Sequence, residues 1–315
     1  MRIVVTGATS FIGNAVVEEL LGGCHQVFAC VRPDSVGRAS LEAKRGKWLG
    51  QLTVLPVDLS ACGTLDRHPA LEGRADLWLH LGWEGSGSAN RTNPEIQARN
   101  IGYALEALGA AARLGCTRFL FSGSQAEYGI TDGLMREDSP CHPVSEYGKD
   151  KLEVCRRAGE KAGELGITYL HTRIFSVYGP GDHPWSLVSS CVDTFLKGGH
   201  MEFGACTQLW NYLYIKDAVR AITGLLLAKS PSGVYNVAGN DTRPLREFIG
   251  EIHRLCGGRG TFEYGKRPPN AEGVVSLNPD TGKLYRAANF QPRISFEEGI
   301  REMIANHEFY KENSK

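Results

Sequence analysis

The first twenty residues, MRIVVTGATSFIGNAVVEEL, place the strongest constraint on the fold, because a glycine turn joins a strand-like run to a helix-like run. Residues 3–5 are continuously apolar, and the apolar residues at positions 12, 16, 17 and 20 recur with the helical period. Gly7 permits a tight turn, and Gly13 lets the helix approach the strand closely. Such a turn directs backbone N–H groups at an anion. The glycines alone would fit a purely structural turn, but the strand–turn–helix context favours a dinucleotide.

Strand-like and helix-like segments alternate through the first half of the chain. We predict strands at residues 3–6, 25–31, 52–57, 76–81, 118–122 and 168–175, and helices at residues 12–21, 96–114 and 146–165. This alternation predicts an α/β fold, a doubly wound parallel sheet with helices on both faces. Right-handed crossovers then bring the carboxyl ends of the strands to one edge, where ligands bind.

The texture of the sequence changes after about residue 180, where glycine and proline become frequent. Helix-like segments remain at residues 217–227 and 244–255. We therefore predict a dinucleotide-binding domain over residues 1–180. Residues 181–315 are predicted to form mainly a smaller substrate-binding lobe, interleaved with the last strands of the sheet.

Composition excludes several classes of partner. Lysine plus arginine equals aspartate plus glutamate at 35 each, so neither nucleic acid nor an anionic membrane is expected. No apolar run approaches the ~20 residues of a membrane span, and Thr6-Gly7 interrupts the first apolar run too early for a signal peptide. The nine cysteines include no Cys-x-x-Cys pair, and the histidines lack ligand-like spacing. We expect a cytoplasmic protein with reduced thiols and no metal.

Tyr147 and Lys151 form a Tyr-x-x-x-Lys motif in a helix-like segment. Residues four apart share a face of a helix, so the ammonium lies near the phenol. A neighbouring cation stabilises the phenolate, and the phenol can then exchange a proton with a substrate alcohol or ketone. Alone, the motif also fits a surface tyrosine beside a solvated lysine.

Several further motifs occur in a fixed order around this pair. They are TGATSFIG at residues 6–13, HLGW at residues 80–83, and SGSQAEYG at residues 122–129. Together they resemble the extended short-chain dehydrogenases/reductases of the NAD-dependent epimerase/dehydratase type, with Ser10 in place of the usual middle glycine. The resemblance covers residues 1–180 and implies a Rossmann-type sheet. It also implies a catalytic set of Ser124, Tyr147 and Lys151, in which Ser124 hydrogen-bonds the substrate oxygen.

The same resemblance implies where the cofactor binds. The implied contacts are Gly7, Thr9, Ser10, Phe11, Ile12, Gly13, Arg32, Asp58, Leu59, Leu81, Gly82, Trp83, Asn100, Tyr147, Lys151 and Phe175. Arg32 falls where an NAD enzyme carries a ribose-binding carboxylate, and an arginine there pairs with a 2′-phosphate. NADP(H) is therefore favoured over NAD(H), although Asp34 lies close by and could bind a ribose diol instead.

The implied substrate contacts are Trp83, Gln125, Glu127, Ser176, Trp210, Asn211 and Arg267. Ser176 replaces the usual asparagine of the RxxNxYGP segment, and Trp210 stands where an arginine often binds the diphosphate. Arg267 could supply that charge. Glu127 is either a substrate contact or a packed turn residue, and Trp210 either a binding wall or part of the core.

A tryptophan at position 83 stands where the family usually has alanine, and this resembles the deoxysugar-nucleotide 4-ketoreductases. Together with Arg32 it predicts NADPH-dependent reduction of the 4-keto group of a 4-keto-6-deoxysugar nucleotide, with the proton supplied by Tyr147. A 4-epimerase that retains NAD is the alternative. A 4,6-dehydratase is disfavoured because Gln125 and Ala126 replace its Asp-Glu pair. A non-catalytic nucleotide sensor usually lacks the Tyr/Lys pair.

The two long helix-like segments carry apolar residues on more than one face, including Leu105, Leu108, Ala112, Leu152 and Val154. In the family, these helices pair across a two-fold axis. The resemblance therefore implies a homodimer, although both faces could instead be covered by the chain itself.

Overall fold

A computed structural model describes residues 1–48, 50–131, 133–268 and 273–312. The strands are β1 (Arg2–Thr6), β2 (Gln26–Val31), β3 (Gln51–Pro56), β4 (Leu77–His80), β5 (Arg118–Ser124), β6 (Thr168–Ile174), β7 (Ser176–Tyr178), β8 (His200–Glu202), β9 (Leu209–Tyr214), β10 (Gly233–Val237), β11 (Thr242–Pro244) and β12 (Thr261–Glu263). The helices are α1 (Phe11–Gly22), α2 (Arg38–Glu42), α3 (Pro94–Arg113), α4 (Glu146–Glu164), α5 (Leu187–Leu196), α6 (Ile215–Leu227), α7 (Leu245–Leu255), α8 (Gly282–Ala288) and α9 (Phe296–Glu312).

The main sheet has seven parallel strands in the order β10-β6-β5-β4-β1-β2-β3. Chain order runs outwards in both directions from β1, so the crossover helices cover both faces. The central strands are continuously apolar because both of their faces are buried. This architecture confirms the predicted α/β fold with a doubly wound parallel sheet.

Three helices begin at the carboxyl edge of this sheet, each with a side-chain cap. Ser10 accepts a hydrogen bond from the backbone N–H of Gly13 at the start of α1. Asn93 caps α3, and Ser145 caps α4 by accepting from Gly148 N–H. These caps satisfy backbone donors at the helix ends and fix where the segments that follow the strands turn back.

The smaller lobe has two sheets of its own. One contains β11, β9 and β7, and the other pairs β12 with β8. Between them the chain returns to the main sheet, where β10 pairs with β6 and α6 packs on α1. Residues after 180 therefore contribute both to these small sheets and to the main sheet, and the division into two domains near residue 180 stays a prediction.

The outer face of α3 and α4 is the surface on which the homodimer prediction depends. Leu108 and Val154 are completely buried in the chain's own core, and Leu105 packs against that core. The outer face of α4 instead carries ion pairs such as Arg156–Glu153. These apolar side chains pack within one subunit, and the homodimer stays a prediction.

All nine cysteines carry free thiols. Burial, reinforced by nearby carboxylates, raises the pKa of Cys62 and Cys116 to about 12, so both thiols stay protonated near neutral pH and pack as small apolar side chains. Within the described residues, none of the helices combines the length and apolar character that a membrane crossing requires.

Candidate active site

A cleft of about 1190 Å³ lies along the carboxyl edge of the main sheet. The turn between β1 and α1 forms its floor. Gly7 has φ of +69°, and a Cβ atom there would lie 2.6 Å from the backbone nitrogen of Gly82. A Cβ atom at Gly13 would overlap the carbonyl oxygen of Gly7. Only glycine fits at either position, so the turn brings bare backbone and the amino end of α1 to the cleft.

The loop after β2 borders one end of the cleft. Arg32 is its first residue, is exposed and lines the cleft, whereas Asp34 is exposed but does not line it. The Ser35 hydroxyl donates to Thr9 Oγ1 at 3.1 Å and ties this loop to the glycine turn. The Arg32 side chain therefore lies at this end of the cleft on a loop that a hydrogen bond holds in place.

The three predicted catalytic residues meet at the middle of the cleft. Ser124 ends β5, while Tyr147 and Lys151 lie on the first turns of α4, and all three line the cleft. Lys151 is almost completely buried and its Nζ donates to the carbonyl of Ser122 at 2.6 Å. Burial lowers the pKa of Lys151 to about 7, and the Glu127 carboxylate only partly opposes this shift.

Trp83 forms an aromatic wall beside this set. Its ring lies 3.9 Å from Lys151 Nζ and meets the Tyr147 ring edge-on at a centroid distance of 6.0 Å. The indole N–H donates to Gln97 Oε1 at 2.7 Å. Gln97 is completely buried and its Nε2 donates to the carbonyls of Gly85 and Asn90. The Gln97 amide on α3 therefore holds both the Trp83 indole and the loop that carries Trp83.

Arg91 contacts the other side of Tyr147. Its guanidinium lies 4.5 Å from the centre of the phenol ring, and its carbonyl accepts the Tyr147 N–H at 2.9 Å. The loop between β4 and α3 thus contacts Tyr147, the predicted catalytic tyrosine, through both Trp83 and Arg91.

Most of the predicted cofactor contacts line this one cleft. They are Gly7, Thr9, Ser10, Phe11, Ile12, Arg32, Asp58, Leu59, Leu81, Gly82, Trp83, Tyr147, Lys151 and Phe175. Gly13 and Asn100 lie outside the lining. Gly13 packs directly against the carbonyl group of Gly7 in the turn. The buried Asn100 amide accepts from Glu84 N–H and donates to Glu84 O. Both were predicted as cofactor contacts, and the structure makes them supports of the loops that line the cleft.

The predicted substrate contacts divide in the same way. Trp83, Gln125 and Ser176 line the cleft. Asn211 is completely buried, and its amide accepts from Gly239 N–H and donates to Gly239 O. Its prediction as a substrate contact is wrong, because the amide joins two segments of the smaller lobe. Trp210 packs against the core clusters, in agreement with the alternative that it belongs to the core. Arg267 is exposed and also lies outside the cleft lining.

The burial of Glu127 agrees with the alternative that it is a packed turn residue and not a substrate contact. Glu127 is completely buried, and its carboxylate accepts hydrogen bonds from Ser124 N–H, His171 and Arg173. A side chain enclosed in this way does not reach a substrate. Residue type and spacing also group Glu127 with Cys155 and His171 as metal-ligating side chains. The Arg173 guanidinium on the same carboxylate makes this an ion-pair cluster instead.

Sequence patterns missed several residues that line the cleft. They include Ser35, Val36, Glu84, Arg91, Arg99, Tyr103, His183 and Trp185. Trp185 is 72% exposed and stacks on His183 with ring centroids 4.5 Å apart. A tryptophan inside the glycine- and proline-rich stretch after residue 178 was the available signal, because such loops rarely hide a large aromatic side chain.

Comparison with known proteins places these features in context. The model of the NAD dependent epimerase/dehydratase family matches residues 3–238. An uncharacterized UDP-glucose epimerase of Bacillus subtilis, YtcB, is 27% identical over an alignment that covers 97% of each chain. The UDP-glucose 4-epimerase of Thermotoga maritima, solved with UDP-glucose, has a TM-score of 0.85 at 23% identity, with 100% of each chain covered. MoeE5, solved with UDP-glucuronic acid and NAD, has a TM-score of 0.81 at 26% identity, also with 100% of each chain covered.

Proposed function

This chain belongs to the NAD-dependent epimerase/dehydratase family, and on that premise we propose that it reduces the 4-keto group of a 4-keto-6-deoxysugar nucleotide with NADPH. The observation that carries the proposal is the common cleft, which joins the glycine turn, Arg32 and the set Ser124, Tyr147 and Lys151. Names and ligands of the relatives support a sugar nucleotide as the substrate class.

The residues present fit a nicotinamide dinucleotide. The close approach of Gly7 to Gly82 leaves the backbone of the turn bare for a pyrophosphate, next to the amino end of α1. Asp58 and Leu59 border the end of the cleft proposed for the adenosine, and Trp83 and Phe175 border the end proposed for the nicotinamide. When bound, the dinucleotide supplies the hydride.

The chain's own residues supply the proton and the orientation. Tyr147 gives its phenolic proton to the oxygen of the carbonyl group that is reduced. The Ser124 hydroxyl donates a hydrogen bond to the same oxygen and stabilises the negative charge that develops there. Lys151 in its charged form stabilises the phenolate that Tyr147 becomes. Trp83 covers Lys151 and keeps water from its ammonium.

Arg32 supports NADPH over NADH. It follows β2 directly, at the position where a carboxylate would bind the ribose diol. A carboxylate at that position would repel the 2′-phosphate of NADPH, whereas a guanidinium pairs with it through two hydrogen bonds. A reductase consumes its cofactor in each turnover, so a site selective for NADPH is consistent with reduction.

Two observations bear on the rival reactions. Gln125, which follows Ser124, lines the cleft with an amide, and the nearby Glu127 carboxylate is enclosed, so neither offers the free acid that elimination of water requires. The 4-epimerase remains the second candidate, because the relatives include epimerases and MoeE5 was solved with NAD. We also propose that the reaction takes place in the cytoplasm, where free thiols persist.

Cofactor capture tests the proposal. The purified protein is denatured and any released nucleotide identified, and a parallel sample is titrated with NADPH and NADH. We expect an empty protein that binds NADPH more tightly, and turnover of a 4-keto-6-deoxysugar nucleotide with loss of NADPH. Arg32→Ala should weaken NADPH binding by roughly 10- to 100-fold, the effect of one charge-assisted pair, and leave NADH binding unchanged as the internal control. Release of tightly held NAD⁺ would overturn the proposal in favour of the epimerase.

A further inference from the structure

We propose that Glu127 is a positioning residue for Ser124, held in place by a buried ion cluster with His171 and Arg173. The inference rests on the proposed function in one respect only, namely that Ser124 contacts the substrate oxygen. It assigns a role to a carboxylate that the reaction itself does not use.

Two hydrogen bonds join Ser124 to the turn that carries Glu127. The Ser124 N–H donates to Glu127 Oε1 at 2.8 Å, and Ser124 Oγ accepts the N–H of Ala126 at 3.2 Å. These two bonds form a capping box around the short 3₁₀ turn that follows β5. Because Oγ acts as an acceptor towards Ala126, its own proton stays available for the substrate oxygen.

The cluster fixes the Glu127 carboxylate from the other side. His171 Nε2 lies 2.9 and 3.0 Å from the two carboxylate oxygens, and Arg173 Nε donates to Oε2 at 2.8 Å. Both partners lie on β6, which pairs with β5 so that Ser124 is opposite Ile174. The carboxylate thus joins the strand that carries Ser124 to its neighbour.

Each partner is itself anchored. His171 Nδ1 is 3.0 Å from the Tyr169 hydroxyl, and the Arg173 guanidinium stacks 4.3 Å from the centre of the Tyr128 ring. All three members of the cluster are almost completely buried. Burial of ionised groups is costly and rarely the best way to stabilise a fold, so this arrangement points to a requirement for geometry.

Gly123 shows how closely the strand lies on the cluster. A Cβ atom at this position would overlap His171 Nε2 and lie 2.5 Å from Glu127 Oε1. The backbone that leads into Ser124 therefore rests directly on the charged groups. A shift of the carboxylate would be transmitted to Ser124 without an intervening side chain.

A double-mutant cycle separates positioning from general support of the fold. We expect Glu127→Ala to lower kcat by about 100-fold, the loss typical of a small misplacement of a reacting group. Ser124→Ala should lower kcat by a similar factor, because it removes the donor to the substrate oxygen. The kcat of the double variant should be about equal to that of the slower single variant, because Glu127 acts through Ser124. Glu127→Gln keeps an acceptor for the Ser124 N–H and should recover part of the rate, with the dissociation constant for NADPH changed less than about threefold.

Asp217 provides the matched control. It is another completely buried carboxylate that accepts two backbone N–H groups and pairs with an arginine, but it lies on α6 outside the cleft lining. Asp217→Asn should lower the unfolding temperature without changing kcat. Equal losses of kcat in Asp217→Asn and Glu127→Gln would overturn the proposal. It would also be overturned if the loss of kcat in the double variant equalled the product of the losses in Glu127→Ala and Ser124→Ala.

Hydrogen exchange at the Ser124 amide tests the same contact without turnover. In the folded protein this amide should exchange slowly in the wild type and in Glu127→Gln, and at least tenfold faster in Glu127→Ala. An unchanged rate in Glu127→Ala would refute the positioning role. If the wild type reduces no 4-keto sugar but the exchange pattern holds, the proposed reaction fails and the positioning role stands.

Discussion

Two buried basic side chains should give this protein opposing dependences of stability on pH, and substitution of either one should expose the effect of the other. The groups are His171 and Lys151, both almost completely buried. Burial alone would lower the pKa of His171, but the Glu127 carboxylate, together with Cys155, more than offsets this and raises it to about 9. Burial lowers the pKa of Lys151 to about 7.

The signs follow from the protons that each state binds. His171 has a folded pKa above its value of ~6.5 in the unfolded chain, so its contribution is fully present below pH ~6.5 and is lost as the pH rises towards about 9. Lys151 has a folded pKa below its unfolded value of ~10.4, so stability increases as the pH rises above about 7.

The magnitudes are similar. For His171, the difference between the folded and unfolded pKa values corresponds to roughly 3 kcal/mol in full. Lys151 gains about 1.4 kcal/mol for each pH unit above its folded pKa. Between about pH 7 and 8.5 the two changes nearly cancel. A total stability of about 5–15 kcal/mol makes either change alone easy to measure.

Urea unfolding between pH 6.5 and 8.5 provides the assay. The free energy of unfolding of Lys151→Met should fall across this window by about 2 kcal/mol, and that of His171→Gln should rise by a similar amount. His200→Gln, which replaces an exposed histidine, should follow the wild type. Parallel curves for Lys151→Met and His171→Gln would refute the assignment of charge to these two side chains.

Three further predictions concern the cleft and the assembly. Trp83→Ala should hydrate Lys151 and raise its pKa, so the alkaline limb of the kcat/KM profile should move to higher pH. The lost desolvation outweighs the lost cation–π contact, which is worth about 1 kcal/mol. An alkaline limb at lower pH would contradict this. Trp185 should lose fluorescence when NADPH binds, and Trp185→Phe should remove most of that quenching if its exposed ring borders the bound dinucleotide. Sedimentation at micromolar concentration should show a dimer, and a monomer would count against pairing through α3 and α4.

The sequence predicted the main sheet well because its signals are local. The apolar runs of β1, β2 and β5 are buried on both faces, so their composition alone marks them as strands. The first helices follow from the caps and periodicity next to these runs. The elements that were missed include α2 and the main-sheet strand β10, and in the smaller lobe α5 and the three-residue strands β8 and β12. Their pairing depends on residues some 60 positions apart, as between His200 and Thr261.

The site was predictable where a backbone requirement or a fixed spacing defines it, as for Gly7 and the Tyr147–Lys151 pair. Polar residues were harder to place, because distant partners decide whether they face the cleft or the core. Glu127 is buried through partners 44 and 46 residues away, and Asn211 through a glycine 28 residues away. Gln97 looks like an ordinary helix residue in the sequence, and only the fold brings the Trp83 indole to it.

The charges around Lys151 connect the cluster to cofactor binding. Glu127 acts on Lys151 as a carboxylate, but His171 and Arg173 share that carboxylate and weaken its effect. His80, which also lies near Lys151, is held neutral because burial, and then the Lys151 charge, lower its pKa to about 3. Burial is therefore the main reason that the pKa of Lys151 falls to about 7, and the shared Glu127 carboxylate only partly opposes it. A dinucleotide brings negative charge into the same cleft and stabilises the ammonium, so binding is coupled to proton uptake. Because such coupling is reciprocal, the protein should hold its cofactor more tightly as the pH falls through the pKa of Lys151.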